Sequence, residues 1–137
     1  MISAITQNRL RVTAIVLLFI NGLNALAAGF SFMVDPSGSG LGMTTAYLQH
    51  SPFPNFLVPG IILFIANGAM STIVAVMTIK KSRFYPLLLS LQGCILLGWI
   101  IIQLLLLQFF HPLHLLMGGL GMALIAIGTF LEKHASV

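Results

Sequence analysis

Every charged side chain of this sequence falls outside four long apolar runs. The six basic and two acidic residues leave residues 12–33, 57–79, 86–108 and 113–131 free of Asp, Glu, Lys and Arg. A helix rises about 1.5 Å per residue, so about 20 residues cross the hydrocarbon layer of a bilayer. Each run has that length. Only 6% of the residues are charged, against about 25% in a soluble domain. The expected fold is therefore all-α: a single integral membrane domain over residues 1–137, folded as a transmembrane four-helix up-and-down bundle.

The basic residues set the expected orientation. Arg9 and Arg11, then Lys80, Lys81 and Arg83, then Lys133 flank the runs in short groups. This is the positive-inside pattern, and it places both termini in the cytoplasm of a bacterial inner membrane. The formal charge of +4 is thus read as topology. It forms no stripe with interleaved aromatics, so nucleic acid is not an expected partner. A cleaved leader is the competing reading of the first run, because Ala25-Leu26-Ala27 has a small-x-small pattern. Apolar character continues through Phe30 and Met33, which favours an uncleaved span.

The one sizeable loop, about 20 residues from Val34 to Phe56, lies on the outer side. Asp35-Pro36-Ser37-Gly38 suits a type I turn. Ser39-Gly40-Leu41-Gly42 reads as flexible. Residues 43–49 fit either a short interfacial helix or an irregular connector. Tyr47, Phe53 and Phe56 on that side, with Phe84 and Tyr85 on the other, fit interfacial aromatic belts.

Lipid does not drive apolar helices together, so small residues and interhelical hydrogen bonds must. Gly22, Ala25 and Gly29 share one face of the first helix. Gly60, Asn67, Ser71, Ala75 and Thr78 do so on the second, and Gly118, Gly121 and Gly128 on the fourth. These faces are expected inside the bundle. Cys94, the single cysteine, is expected to pack as a small apolar residue.

No catalytic constellation is legible. Asp35 and Glu132 fall on opposite sides, so they cannot form a carboxylate pair. No phosphate-binding glycine loop is present. His50, His111 and His114 are weak metal candidates, lacking the three or four ligands zinc takes. No cofactor is expected. The polar groups within the spans are amides: Asn21, Asn24, Asn67, Gln92 and Gln103, with Trp99 near mid-span. Gln92, Leu96, Trp99 and Gln103 recur on one stripe. The plain reading is interhelical hydrogen bonding, with the Trp99 indole bonded to an amide or carbonyl. The sharper one is an uncharged pocket for a lipophilic ligand.

The stretches Val34-Asp35-Pro36-Ser37-Gly38 through Leu41-Gly42-Met43, and Ser51-Pro52-Phe53 before Val58-Pro59-Gly60-Ile61-Ile62-Leu63-Phe64, resemble small four-helix bacterial membrane proteins of DoxX-like architecture. The resemblance implies a helical membrane bundle and transfers no activity or site residue. The leading functional expectation is a non-enzymatic accessory or interaction subunit, partnered by a membrane protein or a second copy. The alternative is a binder or carrier of a neutral lipophilic molecule near Trp99, Gln103 and Asn24.

Overall fold

In the computed structural model, which describes residues 3–107 and 112–135, the chain is helical with no strand among the described residues. The four helices are α1 (Ala4–Val34), α2 (Leu57–Ile79), α3 (Tyr85–Leu107) and α4 (Pro112–Ala135). Each is long and apolar enough to cross a membrane. α1 and α2 form one antiparallel hairpin, α3 and α4 a second. The hairpins meet where α1 touches α4 and α2 touches α3. The result is an up-and-down bundle with a loop end (residues 35–56) and a termini end.

α1 starts earlier than its apolar run. Ser3 caps it, its Oγ accepting from Thr6 N at 3.1 Å. Residues 4–11 contain no helix breaker, so the helix continues below the apolar segment. Arg9 and Arg11 therefore sit on the helix itself. Arg11 reaches the carbonyl of Thr78 at 3.4 Å, tying α1 to the last turn of α2.

α2 carries a feature the sequence does not announce. It is α-helical over Leu57–Ile62, π-helical over Leu63–Ala69 and α-helical again over Met70–Ile79. The Met70 N–H reaches back to the Ile65 carbonyl, five residues away. Widened turns of this kind often accompany functional positions in helices. The helix ends at Lys80, and Lys81 takes a left-handed backbone (φ 54°) in the turn to α3.

The small-residue faces are buried as expected, with one exception. A Cβ on Gly29 would lie 2.8 Å from the Gly60 carbonyl oxygen. A Cβ on Gly93 would lie 2.5 Å from the Gly121 carbonyl oxygen, and one on Gly128 would collide with Ser90. α1 thus lies backbone-to-backbone on α2, and α3 on α4, which is what small residues permit. Gly118 breaks the pattern: a Cβ there meets nothing within 4 Å. Cys94 also departs from expectation. It is exposed on α3, because the buried positions on either side of it, Gln92, Gly93 and Leu96, turn the opposite face to the core.

Two clusters hold the molecule. The main core runs through Ala14 and Leu18 of α1, Val74 and Ala75 of α2, Leu89 and Leu96 of α3, and Leu120, Leu124 and Leu131 of α4. A smaller one at the loop end joins Phe32, Leu48 and Phe56. Phe56 is buried and stacks on Phe32 (centroids 4.8 Å apart, planes 15° apart), so it is not part of an exposed aromatic belt. Two aromatic faces hidden from water pin the loop to the top of α1.

The loop is built from hydrogen-bonded turns. Asp35-Pro36-Ser37-Gly38 closes with Gly38 N donating to Asp35 O at 3.1 Å, as its composition predicts. Ser39–Leu41 and Thr45–Leu48 are single 3-10 turns. The first lies in the segment expected to be flexible. The second takes the place of the longer interfacial helix weighed for residues 43–49. The Asp35 carboxylate accepts from Ser37 Oγ at 2.6 Å and Ser39 Oγ at 2.5 Å. These hydroxyls hold its pKa below the ordinary carboxylate value.

Candidate functional site: a loop-end cavity floored by amides

The helices within each hairpin touch at glycines, but the two hairpins do not touch each other so closely along their whole length. Near the termini end, Leu18, Leu89, Leu124 and Leu131 are fully buried in the main core. Towards the loop end, α1 contributes the small Ala25 and Ala28 to the wall, and a cavity of about 530 Å³ remains. That volume falls within the roughly 300–1,000 Å³ of small-molecule sites.

α1 supplies Asn21, Asn24, Ala25, Ala28 and Phe32 to its wall, and α2 supplies Leu63. Leu96, Trp99, Ile100 and Gln103 come from α3, His114 and Met117 from α4. Leu41, Gly42, Met43 and Tyr47 of the loop roof it. Among the described residues, no Asp, Glu, Lys or Arg borders this space.

Of the six amide and indole positions singled out from the sequence, four line the cavity: Asn21, Asn24, Trp99 and Gln103. Asn21 is 1% exposed, and its Nδ2 donates to Ser71 Oγ of α2 at 2.7 Å. Asn24, Trp99 and Gln103 make no hydrogen bond with any described residue. The plain expectation for Trp99, an indole bonded to a neighbouring amide or carbonyl, is therefore not met. The ring is half-buried on the cavity wall, and among the described residues it has no hydrogen-bond acceptor.

The other two lie elsewhere. Gln92 is 1% exposed and donates from Nε2 to the Ala66 carbonyl at 3.0 Å, inside the π-helical stretch. This bond joins α3 to α2, as interhelical amides are expected to do. Asn67, next to Ala66, is 0% exposed, and neither polar atom of its side chain has a partner among the described residues. The same holds for Gln92 Oε1. Asn21, Ser71, Asn67 and Gln92 are all buried polar residues, of which Asn21 lines the cavity.

The histidines stay apart. His114 lines the cavity and His50 is exposed beside Gln49, while His111 lies outside the described residues. Among the described residues, no three His, Cys, Asp or Glu side chains converge as a metal site.

Sequence reasoning located the polar wall but not the roof. Leu41, Gly42, Met43 and Tyr47 carry no periodic signal, because their placement depends on the Phe32–Phe56 stack and the turns that fold the loop inward. The small pair Ala25 and Ala28 was the one available hint that α1 leaves room opposite Trp99. Compared with known proteins, the chain matches no family model, no curated protein and no solved structure.

Proposed function

We propose that the protein binds, or carries, a small neutral lipophilic molecule in the loop-end cavity, in the manner of a non-catalytic binding protein of the membrane. One observation carries this reading: Asn24, Trp99 and Gln103 converge on one cavity, and none has a partner among the described residues. A polar group at membrane depth without a partner costs several kcal/mol. A bound molecule with oxygen atoms offsets that cost, whereas a purely structural role for these three side chains leaves it standing. The absence of formal charge on the walls favours a neutral ligand over an anion or cation.

The positive-inside pattern supports a bacterial inner-membrane setting with both termini cytoplasmic. The cavity then opens in the outer half of the bilayer, on the side of the long loop. DoxX-like architecture remains a proposal of the same kind, resting on the sequence resemblance alone.

The test is retention. Protein purified in mild detergent is extracted with organic solvent, and the extract is weighed by mass spectrometry. A stoichiometric small molecule is expected with the native chain. It should be lost from Ala28→Trp, whose larger side chain replaces a small residue of the cavity wall. Finding no such molecule, but a stoichiometric protein partner instead, would overturn the reading in favour of an accessory subunit.

A further inference from the structure

A cleft lies at the termini end of the bundle, where α3 begins and α4 ends. A Cβ on Gly128 would lie 2.6 Å from the Pro86 carbonyl oxygen, so α3 and α4 touch by backbone at that height. Beside this contact a cleft of about 570 Å³ remains between the turn from α2 to α3 and the last turns of α4. Pro86, Leu87 and Leu131 give it an apolar wall. Lys81, Ser82 and Arg83 of the turn, with Glu132 of α4, give it a polar one. The charge-free run of α3 opens at Pro86, so the cleft straddles the step from charged turn to apolar helix. In a membrane that step is the boundary between headgroups and acyl chains.

The cations of the turn are held in place without being neutralised. Lys81 N donates to Thr78 O at 3.1 Å, Ser82 N to Met77 O at 2.9 Å and Tyr85 N to Ser82 O at 3.0 Å, which fixes the backbone of the turn. The Arg83 guanidinium lies 5.2 Å from the centre of the Phe84 ring. That cation–π contact orients the group and leaves its N–H donors for another acceptor. Among the described residues, the Lys81 and Arg83 side chains have no ion-pair or hydrogen-bond partner, although Glu132 borders the same cleft. Two cations against one carboxylate leave the cleft a formal charge of +1. We infer that it holds the headgroup of an anionic phospholipid, the phosphate on Lys81 and Arg83 and the acyl chains along Pro86 and the exposed Leu87. A phosphodiester carries a single negative charge and cancels the charge of the cleft, and a guanidinium matches its paired oxygens. Basic pockets between spans recognise lipid headgroups in this way. A zwitterionic choline lipid would bring a further cation beside Lys81 and Arg83. A soluble phosphate ester would meet the same donors but leave the apolar wall uncovered.

The protein in a neutral detergent is titrated with dioctanoyl phosphatidylglycerol and dioctanoyl phosphatidylcholine, and native mass spectrometry counts the adducts. A single phosphatidylglycerol is expected to bind about tenfold more tightly than phosphatidylcholine. The double variant Lys81→Gln, Arg83→Gln should lose that preference. Arg9→Gln with Lys133→Gln removes the same charge outside the cleft and should keep it. Glu132→Gln takes away the acid of the cleft and should tighten phosphatidylglycerol binding, a gain that misfolding cannot mimic. No preference in the native chain, or no gain in Glu132→Gln, overturns the site. An equal loss in the two double variants also overturns it, by assigning the attraction to the basic end as a whole. Displacement of the lipid by glycerol phosphate at matching concentration overturns the lipid in favour of a soluble phosphate ester.

Discussion

Replacing Gly93 by alanine tests one of the closest helix contacts in the molecule. The added Cβ would lie 2.5 Å from the Gly121 carbonyl oxygen, 2.8 Å from Ile125 Cγ1 and 2.9 Å from Ile125 N. Two of these three atoms are backbone and cannot rotate away. Contacts under 3.0 Å are essentially never seen for a real Cβ, so α3 and α4 must part by about half an ångström or more. Overpacking of this kind costs about 1–3 kcal/mol, offset in part by the better helix propensity of alanine, at most about 1 kcal/mol.

Gly98, five residues further along the same helix, is the internal control. A Cβ there meets nothing within 4 Å, so Gly98→Ala should be neutral or stabilising by up to about 1 kcal/mol. The two variants should therefore differ by roughly 1–3 kcal/mol in opposite senses about the native value. Reversible unfolding in mixed micelles, followed by far-UV circular dichroism, measures the difference without using Trp99, which adjoins the control site. Equal unfolding midpoints for the two variants would refute the backbone-to-backbone packing of α3 on α4.

Asn67→Leu should fold and be as stable as the native chain or more so, by about 1–3 kcal/mol. It removes two buried polar atoms that have no partner among the described residues; collapse of the fold in the same unfolding assay would show that the amide holds something essential. The Asp35 carboxylate, held below its ordinary pKa by Ser37 and Ser39, stabilises the loop turn above the unfolded-state value of 3.8. That contribution is lost as pH falls through the lower folded-state value. The protection factors of the amides of residues 35–42, taken relative to intrinsic exchange at each pH, should therefore fall only in acid, and Asp35→Asn should abolish the dependence. A transition near pH ~6.5, in the histidine range, would contradict this.

The spans were legible because their signal is local: length, apolarity and the exclusion of charge each sit within one segment. The glycine faces were legible for the same reason, since helical spacing alone puts Gly22 and Gly29 on one side. Gly118 shows where that logic stops. Its spacing matches Gly121 and Gly128, yet whether a glycine is packed depends on how far the neighbouring helix has diverged at that height. The π-helical stretch was illegible, because widening a turn is a tertiary bargain. It coincides with the Gln92 bond to the Ala66 carbonyl, and nothing at residues 63–69 alone encodes the partner on α3. Trp99 was placed on the right face but with the wrong surroundings, because a stripe gives direction and not distance.

The distribution of polarity along the bundle axis narrows what the cavity can serve. From the loop end to about mid-depth the interior offers amides, an indole and open volume. Below Asn21 and Gln92 it offers Leu18, Leu89, Leu124 and Leu131, all fully or almost fully buried, and the hydroxyl of Thr78, which donates to its own helix at Val74 O. A conducting path for ions or protons needs polar groups or water throughout its length, and four interdigitated leucines supply neither. Passage through the bundle would require the two hairpins to part at the contact that forms the main core. Binding at the loop end requires no such change. If the cavity holds a ligand, as proposed above, this packing has it loaded and emptied from the loop end, with the leucine layer as the base of the site.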